Sequence, residues 1–195
     1  MRAIDRFLPD YHVHERHAIH VNASPALVQR AIREVTLAEM PVAGLLFWLR
    51  GIPTRLLGSS FRGGRLETPG FANKPILQGA LNGGFVLLED IPEHELVVGT
   101  IGKFWQLSGG AYRVPDAAAF LAFDRPDYAR SALDFRLEPA ATGGVRLTTE
   151  TRIQIPDPAS RRRFTRYWHV VYPGSALIRL IWLRAIKMRA ERSIP

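Results

Sequence analysis

The 195-residue sequence contains no cysteine. That excludes a disulfide framework, a thiolate nucleophile and a cysteine-ligated zinc site. It also fits an intracellular chain, and a cytoplasmic location is expected. Met1 to Tyr11 has no apolar run and carries Arg2, Asp5, Arg6 and Asp10, so no signal peptide is visible. Val170 to Leu183 is apolar apart from Arg179, which falls short of the about 20 residues that a membrane span needs. Four glycines lie between residues 58 and 70 (Gly58, Gly63, Gly64 and Gly70), but no Lys-Ser or Lys-Thr follows them. A phosphate-binding P-loop is therefore excluded, and the stretch reads as a surface loop. No serine sits in a nucleophile-elbow context, so no Ser-His-Asp triad can be assigned.

Acidic residues are the minority, 18 against 26 Lys and Arg, for a net charge of +8. With 47% hydrophobic and 23% charged residues, the composition is that of one folded domain over 1–195. The excess charge is concentrated. From Asp157 onward nine basic residues face two acidic ones, a local net of +7.

The same segment is the longest periodic one. Asp157 can cap a helix and Pro158 suits its first turn. Phe164, Trp168, Val171, Ser175, Ile178, Trp182 and Ile186 then recur three or four apart, on one stripe of a helix. A helix from Asp157 to Arg192 would run roughly 50 Å, with a kink or short break expected at Pro173-Gly174. Its basic residues form a solvated face that can also attract phosphates. Weak contact with an anionic membrane surface is compatible with this. Nucleic-acid binding is not expected, because Trp168 beside Arg166 and Tyr167 belongs to the buried stripe rather than to an exposed stacking surface.

Strands account for much of the rest. His12 to Asn22 ends in alternation, with His12, His14 and His20 on one face. Three imidazoles spread along a strand do not converge on an ion, and no metal or other cofactor is expected. Ser24-Pro25 opens a helix through Val35, a second apolar segment covers Leu37 to Leu49, and Lys74 to Asn82 reads as a short helix. Strands are expected at Phe85–Asp90, Glu95–Trp105, Ala117–Asp124, Tyr128–Glu138 and Val145–Ile155, with Gly143-Gly144 as a hairpin turn. In the last strand Val145, Leu147, Thr149, Thr151, Ile153 and Ile155 share a face against Arg146, Thr148, Glu150, Arg152 and Gln154. The second set, with Asp134 on the preceding strand, reads as a wet face with cross-strand charge pairs. A sheet with one apolar face needs a cover, and the terminal helix is long enough to be it. The fold class is therefore α+β, a helix-grip in which a curved antiparallel sheet wraps a long C-terminal helix.

The chain resembles the START-like (SRPBCC) superfamily, which includes polyketide cyclase-type and lipid-transfer domains. The resemblance covers nearly the whole length. It rests on His17 to Val21 leading into Asn22-Ala23-Ser24-Pro25, on Gly84-Phe85, on Gly102-Lys103-Phe104-Trp105, on Thr149-Glu150-Thr151-Arg152 and on Phe164-Thr165-Arg166-Tyr167-Trp168. It implies a cavity between sheet and helix for a small hydrophobic or amphipathic molecule. It carries over no catalytic residue.

Strand parity and the helix stripe select Phe85, Phe104, Phe123, Phe135, Thr149, Thr151, Trp168, Tyr172 and Ser175 as the ligand-binding set. The mix of apolar side chains with a few hydroxyls suits a pocket, although aromatics at this spacing also simply fill cores. The alternative function is a cyclase- or dehydratase-like enzyme acting on an aromatic or lipid-like substrate. That chemistry needs an acid or base within reach, drawn from His169, Tyr172, Glu89 or Glu150. The assumed wet face argues against Glu150.

Overall fold

A computed structural model describes residues 2–40, 71–106 and 111–193. The Gly58 to Gly70 stretch and most of the Leu37 to Leu49 segment lie outside them. The elements are α1 (Ala3–Phe7), β1 (Val13–Val21), α2 (Pro25–Glu34), short 3-10 turns at Leu37–Glu39 and Phe71–Asn73, α3 (Ile76–Asn82), β2 (Val86–Ile91), β3 (Glu95–Gly102), β4 (Ala111–Tyr112), α4 (Ala117–Leu121), β5 (Ala129–Pro139), β6 (Val145–Gln154) and α5 (Pro158–Arg192). The strands form one curled antiparallel sheet in the order β1-β6-β5-β3-β2, with β4 paired to the end of β3. The long helix packs against that sheet, so the architecture is α+β and compatible with a helix-grip.

Local chemistry sets several of these boundaries. Ser24 accepts a hydrogen bond from the Leu27 amide and Pro25 opens α2. Asp157 accepts from the Ser160 amide at 2.7 Å and Pro158 opens α5. Between β5 and β6, Gly143 and Gly144 both take positive φ (87° and 68°), the left-handed region that glycine enters at little cost. A Cβ at Gly144 would stand 2.3 Å from the Val21 carbonyl oxygen, so β1 closes directly on this turn.

Three expectations need correction. The helix does not break at Pro173-Gly174 but runs unbroken for 35 residues. Pro173 cannot donate to the carbonyl of His169, yet both residues are exposed and water can satisfy the freed acceptor. Ala117 to Asp124 is not a strand. Asp116 caps a helix there by accepting from the Ala119 amide at 2.8 Å, and the three alanines that follow favour helix over sheet. β3 stops at Gly102, and Lys103 to Gln106 turn instead, with the Gln106 amide on the Lys103 carbonyl.

The largest departure concerns the supposed wet face. The inner face of the sheet carries Leu96, Val98, Leu133, Phe135, Val145 and Leu147 against α2 and the last turns of α5. The outer face is covered too. Val86, Leu88, Val97, Ile101 and Ala132 pack there against Ile4, Phe7 and Leu8 of the N-terminal segment and Phe120 of α4. Glu150, Arg152, Thr148 and Asp134 are consequently buried. The charged ones form ion pairs with the segment that covers them. Arg2 bridges Asp134 (2.7 Å) and Glu150, while Arg152 bridges Glu150 (2.6 Å) and Asp5 (2.8 Å) and donates to the Leu8 carbonyl. Glu95 accepts from the amides of Ala3 and Ile4 and so caps α1. Burial pushes the Glu150 carboxyl up, but Arg152 and Arg2 outweigh it and hold it below its ordinary range.

Candidate functional site

The inner face is not uniformly apolar. On β1 the odd positions Val13, Glu15, His17, Ile19 and Val21 lie opposite Ile153, Thr151, Thr149, Leu147 and Val145 of β6. Glu15 and His17 therefore sit in the middle of an otherwise hydrophobic row, facing α5. One Glu15 carboxylate oxygen contacts His17 Nε2 at 2.8 Å, and the other accepts a hydrogen bond from Ser175 Oγ at 3.1 Å. Glu15 is only 5% exposed. A carboxylate placed in an apolar layer is costly unless it is hydrogen-bonded. Here a strand neighbour and a helix side chain share that work. One helical turn beyond Ser175 stands Arg179, whose guanidinium is pulled down from its ordinary pKa by burial, with the Glu15 charge opposing.

Helix α5 is anchored at its two ends. Phe164 is buried in one cluster with Ala129, Ile153 and Ile155, and Trp182, Leu183, Ile186 and Ala190 are buried in another. Between residues 165 and 181 no side chain is fully buried. Ser175 faces Glu15 in that middle stretch.

The nine residues selected from sequence do not form one group. Thr149, Thr151 and Ser175 lie together at the Glu15 contact. Trp168 is half-buried, stacks on Phe164 at 5.7 Å and touches Tyr172, which is 43% exposed. Phe104 packs at the same end. Phe135 is fully buried edge-on against Trp182 at 5.0 Å, as a core residue. Phe85 precedes β2 and packs against the main core. Phe123 is placed elsewhere, clustered with Tyr112 and Tyr128 beside α4. Its selection assumed a strand, and the helix there turns it toward the outer-face cluster. The Thr149 hydroxyl donates to the Asp134 carbonyl at 2.8 Å, so backbone already satisfies it.

The acid–base candidates are also redistributed. A register shift between Leu87 and Glu89 inserts one residue into β2, which reverses the expected parity. Glu89 therefore pairs with Arg6 of α1 rather than facing α5. His169 is exposed and its ring contacts the Thr165 carbonyl one turn back. Glu150 belongs to the buried outer-face network. Sequence parity does not single out Glu15 and His17, because His12, His14 and His20 at even positions mark the opposite face as the polar one. Two ionisable residues flanked by Val13, Ile19 and Val21 at odd positions were the available signal. His12, His14 and His20 engage separate partners (the Ile155 amide, Glu150 and the Gly143 carbonyl), and no metal-binding group occurs among the described residues.

Two concavities are defined by described residues. One of about 260 Å³ is lined by Leu121, Phe123, Tyr128 and Arg130 among others, and one of about 290 Å³ by Phe85, Leu87, Arg113 and their neighbours. Neither reaches Glu15 or the middle of α5. No described helix is long and apolar enough to cross a membrane.

No protein-family model matches the chain, and no curated protein matches it in sequence. Among solved structures it is similar to a structural-genomics protein from Mesorhizobium loti, at 16% identity over 94% of this chain and 100% of that one, with a TM-score of 0.43. A hypothetical protein from Helicobacter pylori is 9% identical over 95% and 93% of the two chains, with a TM-score of 0.41. A protein from Thermus thermophilus is 8% identical over 94% and 100%, with a TM-score of 0.37. None of the three is described with a ligand or a reaction.

Proposed function

We propose that the chain binds a small hydrophobic or amphipathic molecule between the inner face of the sheet and the middle of α5, in keeping with its resemblance to START-like proteins. The observation that carries this reading is the contrast along α5. Both ends are buried, whereas the stretch between them crosses a polar group, Glu15, His17 and Ser175, without burying a single side chain completely. A helix serving only as cover would close on the sheet there with apolar residues, because an ion-bearing layer is no more stable than a hydrophobic one of equal volume. A middle segment held at both ends can part from the sheet without unfolding the core.

The reading predicts that native mass spectrometry of the purified protein finds a co-purifying small molecule. Thr151→Leu, which fills space beside Glu15, and Trp168→Leu, which thins the helix wall, should each weaken retention of that molecule by about tenfold or more. Their circular dichroism spectra should match wild type. If both variants keep full affinity, the site lies elsewhere.

The Glu15–His17 contact favours a second reading, a cyclase- or dehydratase-like proton transfer. A carboxylate bonded to an imidazole orients the ring and stabilises it when protonated, which suits His17 as the base. Turnover of an aromatic polyketide-like substrate should then fall by about a hundredfold or more in Glu15→Gln. Unchanged turnover removes Glu15 from any chemistry.

A further inference from the structure

Two hydrogen-bond donors on adjacent turns of α5 lack acceptors. Arg179 makes no hydrogen bond and no ion pair among the described residues; its guanidinium lies 5.6 Å from the centre of the Trp182 ring. Trp182 is 8% exposed, and its Nε1–H is buried with no acceptor. Guanidinium and indole N–H are donor-only groups, so neither can satisfy the other. The buried indole N–H without a partner costs free energy that an acceptor would recover, and the partly exposed Arg179 guanidinium stands beside it within reach of an incoming molecule. The carboxylate acting on Arg179 is that of Glu15, and its two oxygens are already engaged by His17 and Ser175.

We propose that Arg179 and Trp182 form a head-group site for an acidic acceptor, and that the ligand is an amphipathic carboxylic acid whose carboxylate meets the Arg179 fork while its chain lies along the middle of α5. The inference rests on the binding reading above and adds the chemistry of the ligand to it. A neutral alcohol would accept one hydrogen bond and leave the guanidinium charge unmatched. A quaternary amine would add a second cation beside it. A carboxylate supplies two oxygens in the geometry that a guanidinium binds in parallel.

The test uses the delipidated full-length chain, with tryptophan fluorescence reporting titrations of dodecanoate and of dodecanol. Wild type should bind dodecanoate about 10- to 100-fold more tightly than dodecanol. Arg179→Met should abolish that preference, through a loss of dodecanoate affinity larger than any loss of dodecanol affinity. Arg179→Lys, which keeps the charge and loses the fork, should retain part of the preference and serves if Arg179→Met does not fold. Equal binding of acid and alcohol by wild type, or an undiminished preference in both variants, would overturn the head-group assignment while leaving the apolar site standing. Binding of neither probe would overturn both.

Discussion

Glu150→Ala is expected to lower the unfolding free energy by about 3–5 kcal/mol, the cost of removing one member of a buried charge network and leaving its excess positive charge uncompensated. Glu150 is 1% exposed and stands between two arginines, Arg2 from the N-terminal segment and Arg152 two residues along its own strand. Removing it leaves Arg152 with Asp5, and Arg2 with Asp134, across an emptied site. The loss should extend to α1, since Arg2 is the N-cap of that helix and Asp5 lies in its first turn, and both help to hold Ile4 and Phe7 against the sheet. Hydrogen exchange at residues 3–8 should therefore accelerate in Glu150→Ala. An exposed pair provides the control. Arg30–Glu34 on α2 spans one helical turn in solvent, and Glu34→Ala, which also gives up the Arg189 contact, should cost about 1 kcal/mol or less. Urea titrations of the two variants decide the matter, and a Glu150→Ala loss as small as that of Glu34→Ala would show that the outer-face network contributes little.

Asp134 should make stability fall as pH rises toward and above neutrality. It is fully buried, and burial pushes its carboxyl from an ordinary 3.8 up to about 7, against the opposing charge of Arg2. Arg2 is itself raised, as a real ion pair requires, but it is shared with Glu150. Glu150 has a second cation in Arg152. Asp134 has none, and it feels Glu95 as well. The upward direction follows from that shortage of positive charge. A carboxyl raised in the folded state binds its proton more tightly than the unfolded chain does. Its contribution is complete below pH of about 4 and disappears as pH passes about 7, with a ceiling of about 4 kcal/mol. Glu150 and Asp5 are depressed and work in the opposite sense, since their contribution is lost as pH falls through the ordinary carboxylate range. Stability should thus peak near pH of about 5 and decline by about 2–4 kcal/mol toward pH of about 8. In Asp134→Asn the decline on the alkaline side should shrink to less than about 1 kcal/mol. A wild-type profile flat between those pH values would mean that Arg2 fully compensates Asp134.

Much of the fold was legible because it is written in local periods. The alternation of Val145 to Ile155 and the stripe from Phe164 to Ile186 identified β6 and α5, and Ser24-Pro25 and Asp157-Pro158 marked two helix starts that the structure retains. The five residues of α1 carry too short a period to be recognised. Without α1, parity could only read Glu150 and Arg152 as facing water. The candidate site was legible in part. Thr151 and Ser175 were named from face assignments that hold, whereas Glu89 was misplaced by a single inserted residue in β2. Phe123 was misplaced by a helix where alternation suggested a strand.

Sequence alone determined the α+β class, the length and position of the terminal helix, and which side chains of β5 and β6 share a face, because each depends on neighbours within a few residues. Tertiary structure decided what covers those faces. It brought Arg2 to Asp134 across 132 positions and Ser175 to Glu15 across 160. Burial and charge pairing depend on that distant packing, so the same glutamate or aspartate is a surface residue in one arrangement and a buried, proton-binding group in another.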